Sequence, residues 1–149
     1  MNRESIQQEA LQVILNNKRA GLGISMGVGK TRIAIQHLIT KYNPLLSVLV
    51  VAPKKAIFKA WEDELVKMGV EHLSEHITYT TYLSLNKQNV NEYDAVYLDE
   101  CHSLLMNHEK FLSLYNGPIV GLTGTPPVHS GTDKYFMVNK YCPIKYKFT

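Results

Sequence analysis

Cysteine is scarce in this sequence: Cys101 and Cys142 are the only two, and they form no C-x-x-C pair. That speaks against a disulfide framework or a zinc ribbon and suits a reducing compartment. Long apolar runs are missing too, since no window approaches the ~18 apolar residues of a membrane span. The opening stretch, MNRESIQQEALQVILNN, has no small-residue cleavage site and does not read as a secretory signal. The expectation is a soluble, cytoplasmic chain with no membrane partner. Charge of one sign is also in short supply. There are 16 Lys and Arg against 13 Asp and Glu, a net charge of +3, compatible with a polyanionic partner but too small to argue for one. Repeats, linkers and low-complexity segments are absent. What remains is 149 residues, 45% hydrophobic and 19% charged, the composition of one globular domain over residues 1–149.

The hydrophobic pattern alternates between two periods. Ile6, Ala10, Val13 and Ile14 share a helix face that stops at Asn16-Asn17. Ala20 to Ser25 is long enough for one buried strand. Gly29 to Tyr42 looks helical, with Ile33, Ile35, His37, Leu38 and Ile39 on the buried side and Pro44 beyond its end. Ser47 to Ala52 reads as a central parallel strand, and Lys54 to Met68 as an amphipathic helix around Ile57, Trp61 and Leu65 that stops at Gly69. Further strands are expected at His76 to Thr80, Tyr93 to Leu98 and Ile119 to Thr123. Helices are expected from about Tyr82, around Glu109 to Tyr115, and near Asp133 to Tyr141. Strands alternating with helices predict an α/β fold, a mainly parallel central sheet with helices on both faces.

Met26-Gly27-Val28-Gly29-Lys30-Thr31 lies between an expected strand and an expected helix. Glycines let a backbone curl its N–H groups around a phosphate, and the helix offers its positive end to the same anion. Lys30 then reaches the β- and γ-phosphates, and the Thr31 hydroxyl ligates Mg²⁺. The longer phosphate-loop pattern has a further glycine where Ile24 stands, so the motif is the shorter GxGKT. Its acidic partner is Asp99-Glu100, at the end of the apolar run Tyr93 to Leu98. Asp99 suits the metal, and Glu100 can orient and deprotonate an attacking water. Each polar loop follows an expected strand: Gly27 to Thr31, Pro53-Lys54-Lys55, Thr80-Thr81-Tyr82, Asp99 to His102, and Thr123-Gly124-Thr125-Pro126. A parallel sheet brings all five to its carboxyl edge, where open α/β sheets bind ligands.

GVGKT, DECH and GLTGTP, in this order, resemble the first RecA-like domain of superfamily 2 helicases, with the closer likeness to the Swi/Snf-type DNA translocases. IQQEAL resembles their glutamine motif, VLVVAPKKAIFKAWEDEL their second block, ITYTTYLSL their threonine-tyrosine block and YDAVYLDECHSL their Asp-Glu-x-His block. The likeness runs from about Arg3 to Pro127, and Cys101 departs from it where Ala is usual. It implies ATP and Mg²⁺ as cofactors, with Gln7 as the adenine reader, although Gln8 competes for that place. It also implies Lys54 and Lys55, with Lys59, as contacts to nucleic acid, DNA foremost. Lysines on a helix are as often merely solvated.

Thr81 and Tyr82 could contact a strand backbone by their edge position, or reflect β propensity alone. Thr123 and Thr125 could sense the γ-phosphate and relay it, or cap their own turn. His102 fits a bridge between the nucleotide site and neighbouring motifs. Trp61 reads as a packing residue. His72-Leu73-Ser74-Glu75-His76 matches a zinc-peptidase pattern literally, but lies in an expected loop, so zinc is set aside. Neither Asn86-Lys87-Gln88-Asn89 nor Asn139-Lys140-Tyr141-Cys142 is a guanine reader. The reading is a Mg-ATP-binding half of a helicase or translocase, which needs a second RecA-like domain, in the same or another chain, for efficient hydrolysis. A standalone, non-catalytic nucleotide-dependent module is the alternative.

Overall fold

The computed structural model describes residues 2–25, 27–41 and 46–148. The expectations placed on Met26, Tyr42 and Pro44 therefore lie outside the described residues. The chain runs α1 (Arg3–Leu15), β1 (Arg19–Ile24), α2 (Lys30–Lys41), β2 (Val48–Ala52), α3 (Ala56–Lys67), β3 (Ile77–Thr81), β4 (Ala95–Asp99), α4 (Glu109–Leu112), β5 (Ile119–Thr123), α5 (Asp133–Tyr141) and β6 (Ile144–Phe148). Short 3₁₀ turns at Glu71–His76, Tyr82–Lys87, Val90–Glu92, Cys101–Ser103 and Met106–His108 fill the longer connections.

The six strands form one sheet in the order β3-β2-β4-β5-β1-β6, and every neighbouring pair is parallel. All of β2 and β5 is buried, which is why β2 reads as an unbroken apolar run and β5 as one broken only by Thr123 at its end. Side chains alternate across the sheet. Val48 and Val50 join Ala95, Tyr97, Val120 and Leu122 beneath α1, α2 and α3. Leu49 and Val51 join Val96, Leu98 and Ile119 on the other face, beneath α4, α5 and the 3₁₀ turns. Gly121 belongs to that second face. A Cβ there would lie 2.6 Å from Cys142 Sγ and 3.1 Å from Cys101 Sγ, so its absence lets α5 and the turn after β4 close on the strand.

Helix ends follow local chemistry. Asn2 caps α1, its side chain accepting from Ser5 N at 2.8 Å, and Thr132 caps α5. Gly69, at φ 70°, ends α3: its N–H donates to Val66 O and that of Val70 to Leu65 O, pairing two last-turn carbonyls.

The structure differs from the sequence expectations in several places. Lys54 and Lys55 precede α3 rather than opening it. In α1, Leu11 takes the buried place expected of Val13, which is only half-buried, and in α2 Ile39 is exposed. Both shifts follow from α1 and α2 packing on each other as well as on the sheet, which turns their buried faces. The helix at Glu109 ends at Leu112, not Tyr115. The segment holding His72 and His76 is a 3₁₀ turn, and β6 was not foreseen. Among the described residues no helix is long and apolar enough to cross a membrane.

Candidate nucleotide site at the carboxyl edge

The strand order reverses direction around β4, β5 and β1, so the loops leaving these strands open a crevice at one edge of the sheet. The first loop is Gly27 to Thr31. Gly27 (φ 92°) and Gly29 (φ 94°) both occupy the left-handed region that glycine enters without strain. A Cβ on Gly29 would also stand 2.7 Å from the Gln7 amide nitrogen. That amide donates to Val28 O at 2.7 Å, tying α1 to the loop. Gln7 is buried and Gln8 exposed, so Gln7 is the one that reaches the loop.

Lys30 leads into the second loop. Its ammonium lies 2.5 Å from Glu100 Oε1 and 3.2 Å from Asp99 Oδ1. Burial works against the lysine charge, but the two carboxylates outweigh it and hold its pKa above the ordinary lysine range. Asp99 is 1% exposed. Its Oδ2 accepts from Trp61 Nε1 at 2.9 Å, and its Oδ1 from Glu100 N at 2.9 Å. Three donors thus replace the water this carboxylate gave up.

Glu100 adopts φ 52°, ψ 51°, a left-handed conformation that costs a non-glycine residue about 1–2 kcal/mol. It turns the chain sharply into the Cys101–Ser103 turn, where Ser103 N donates to Glu100 O at 2.9 Å. The same turn brings the His102 ring to the third loop. His102 Nδ1 is 2.7 Å from Thr123 Oγ1, and Nε2 is 3.5 Å from Glu100 Oε2. Burial lowers the His102 pKa despite Glu100, with Lys134 and Lys30 adding to the fall, so the ring is neutral near pH 7. A neutral ring facing a carboxylate carries its proton on Nε2, which leaves Nδ1 to accept from the Thr123 hydroxyl. Thr123 is fully buried and accepts from Thr125 N at 3.0 Å. Three loops are thereby linked from Lys30 through Glu100 and His102 to Thr123 and Thr125.

Two hollows flank this network. One of about 240 Å³ is lined by Ile24, Lys30, Glu100, Gly124 and Thr125. Another of about 420 Å³ is lined by Gly27, Gly29, Lys30 and Thr31 on one side and by Ala60, Asp63, Glu64 and Lys67 of α3 on the other. The donor set fits a magnesium–triphosphate pair: glycine-loop amides and a lysine for the anion, a threonine hydroxyl and a buried carboxylate for a hard cation.

The remaining predicted residues spread outward. Lys54 and Lys55 are exposed on the loop after β2, while Lys59 is drawn to Asp63 at 3.3 Å. Thr81 is half-buried. The Tyr82 side chain turns inward, its hydroxyl donating to Asp99 O at 2.8 Å, and its carbonyl meets His108 Nε2 at 2.9 Å, so the residue is buried rather than open to a strand. Trp61 packs as expected, but its bond to Asp99 was missed, because no spacing in the sequence pairs an indole with a distant acid. The α3 wall was missed for the same reason.

The sequence model for the family described as type III restriction enzyme, res subunit, matches residues 1–128. No curated protein matches the chain. Among solved structures, the UvsW helicase from bacteriophage T4 superposes with a TM-score of 0.79 at 17% identity, over 98% of this chain and 60% of that one. The SWI2/SNF2 ATPase core of Sulfolobus solfataricus, solved in complex with dsDNA, gives 0.71 at 22% identity, over 95% and 36%. The Hef helicase domain of Pyrococcus furiosus gives 0.69 at 16%, over 95% and 37%. The chain thus spans between about a third and three fifths of these proteins. At such identities the likeness is one of fold, and that fold is the RecA-like sheet. With a family match over most of its length, the chain belongs to the type III restriction enzyme res-subunit family, and its fold is the RecA-like one.

Proposed function

We propose that this domain binds Mg-ATP and supplies one half of an ATP-driven helicase or translocase acting on nucleic acid, with DNA as the expected track. The observation that carries the reading is the meeting of Lys30 with Asp99 and Glu100. A phosphate-loop cation and two acids from a strand two places away have no structural reason to be brought together at the mouth of the sheet.

Mg-ATP would supply the phosphoryl group to be transferred to water and the cation that offsets its charge. Lys30 would turn from its carboxylate partners to the phosphate oxygens, and Thr31 and Asp99 would hold the metal. Glu100, no longer paired with Lys30, would accept the proton of the attacking water. Gln7, whose amide is tied to Val28 beside the loop, is read as the residue that would meet the base. The contact of His102 with Thr123 connects Glu100 to the loop after β5, so a change at Glu100 reaches Thr125 without a change of fold.

Calorimetric titration with ATP and Mg²⁺ tests the roles. Lys30→Ala should abolish measurable binding, whereas Glu100→Gln should bind within a few-fold of the parent yet lose hydrolysis. Equal loss in both variants, or loss in neither, rejects the assignment.

A further inference from the structure

Of the two hollows beside the phosphate loop, the larger has a wall that the proposed chemistry leaves unused. Ala60, Asp63, Glu64 and Lys67 recur at the spacing of one face of α3, and that face stands opposite Gly27, Gly29, Lys30 and Thr31. Trp61 fixes its position. The indole is buried, and its bond to Asp99 at 2.9 Å clamps α3 against the carboxylate suited to the metal.

Glu64 lies one turn further along α3 and is half-buried. Among the described residues its carboxylate has neither an ion pair nor a hydrogen bond. Asp63 differs on both counts, being exposed and held by Lys59 at 3.3 Å. An unpaired, half-buried carboxylate beside a phosphate cradle repels a polyphosphate. It becomes favourable only if it faces positive charge, of which Lys30 and Lys67 in the same hollow supply a part without pairing with it. Magnesium provides this at a distance, because it dehydrates reluctantly and keeps several waters whose hydrogens point outward.

We propose that Glu64 is an outer-sphere carboxylate of the nucleotide's magnesium, accepting hydrogen bonds from waters on the cation held by Thr31 and Asp99. This rests on the Mg-ATP reading above and assigns α3 a positioning part in it. Glu64 touches neither the phosphoryl group nor the attacking water. Its effect is on how tightly and in what orientation the cation sits.

The test titrates ADP into the parent chain, Glu64→Gln, Glu64→Ala and the control Asp63→Asn, each with and without Mg²⁺. Thermal melting accompanies every variant to establish folding. Outer-sphere partners typically change metal affinity by ~10- to 100-fold. Both Glu64 variants should therefore lose about tenfold or more in Mg²⁺ affinity of the nucleotide complex. ADP without metal should bind them as well as the parent or better, since a negative charge has gone. Asp63→Asn should match the parent. With Mn²⁺ in place of Mg²⁺, the electron paramagnetic resonance spectrum of the ADP complex should change in the Glu64 variants alone. Tighter binding both with and without metal would mean that Glu64 merely repels phosphate, and parent-like values throughout would mean that it is idle. Either result overturns the proposal. A parent chain that binds no ADP under any condition overturns the Mg-ATP reading itself, and the unmutated arm distinguishes that failure from the others.

Discussion

Asp99 and His37 are buried ionisable groups with opposite solutions to the loss of water. Asp99 is surrounded by donors from Trp61, Lys30 and its own neighbour, which take the place of water around its oxygens. His37 lies on the buried face of α2 with Nδ1 2.7 Å from the Tyr97 hydroxyl and Nε2 3.2 Å from Ile14 O. A carbonyl can only accept, so Nε2 carries the proton and Nδ1 accepts from Tyr97, an arrangement for the neutral form. Burial pushes the His37 pKa down to about 4, against the Ile14 carbonyl and with help from Lys41. The folded state therefore binds fewer protons than the unfolded chain between about pH 6.5 and pH 4. Stability is full above the unfolded pKa and falls as the pH drops through this window, by roughly 3 kcal/mol for this one residue. Urea unfolding at pH 7.5, 5.5 and 4.5 should show that loss, and His37→Gln should flatten it. His102 and His108 are shifted in the same direction, so the difference between parent and variant isolates His37. Equal pH dependence in both would show that the ring does not stay neutral in the fold.

At the scale of elements, the loop after β2 is an exposed stretch of the carboxyl edge that carries two adjacent cations, Lys54 and Lys55. If that loop follows a nucleic-acid backbone, affinity should fall steeply with salt through counterion release, by about 0.9 in log–log slope for each phosphate contacted. Lys54→Glu with Lys55→Glu should weaken duplex DNA binding and lower the salt slope by about 2, while ATP titration stays at the parent value. Fluorescence anisotropy across a salt series measures both, and an unchanged slope removes these lysines from the track. The elements themselves were unevenly legible. β2 and β5 stood out in the sequence because both faces are covered and every position but Thr123 at the end of β5 is free of a polar side chain. β6 did not, because an edge strand half open to solvent mixes Lys145 and Lys147 with Ile144, Tyr146 and Phe148. Gly27 and Gly29 were legible because both take the left-handed conformation that a tight loop reserves for glycine, and such loop chemistry is local. The contact of Glu100 with His102 and Thr123 is a different matter: the residue types were visible, but the left-handed turn that joins them is a property of the packed loop.

For the molecule as a whole, the decisive quantity is positive charge around the γ-phosphate position. The hollow between the phosphate loop and the loop after β5 is lined by Ile24, Lys30, Glu100, Gly124 and Thr125, so Lys30 is the single cation among those residues. Charge that develops on the transferred phosphoryl group in the transition state would meet Lys30 and the metal, but no second side-chain cation from this wall. In P-loop enzymes an arginine delivered by another domain or subunit contributes ~10³ to 10⁵ in rate. On the proposed reading, ground-state binding needs no such group, since the glycine loop and Lys30 would suffice for it. The 149-residue chain alone should thus bind Mg-ATP but release phosphate very slowly, and it should not separate a duplex. Stepping along a strand also requires two bodies that close around the nucleotide and reopen after hydrolysis. The test is steady-state phosphate release and fluorescent strand separation on the purified chain, with and without duplex DNA, repeated after addition of a second RecA-like domain. Turnover should rise by orders of magnitude only in the combined sample. Brisk, DNA-stimulated turnover by the chain alone would show that its own residues complete the charge around the phosphate.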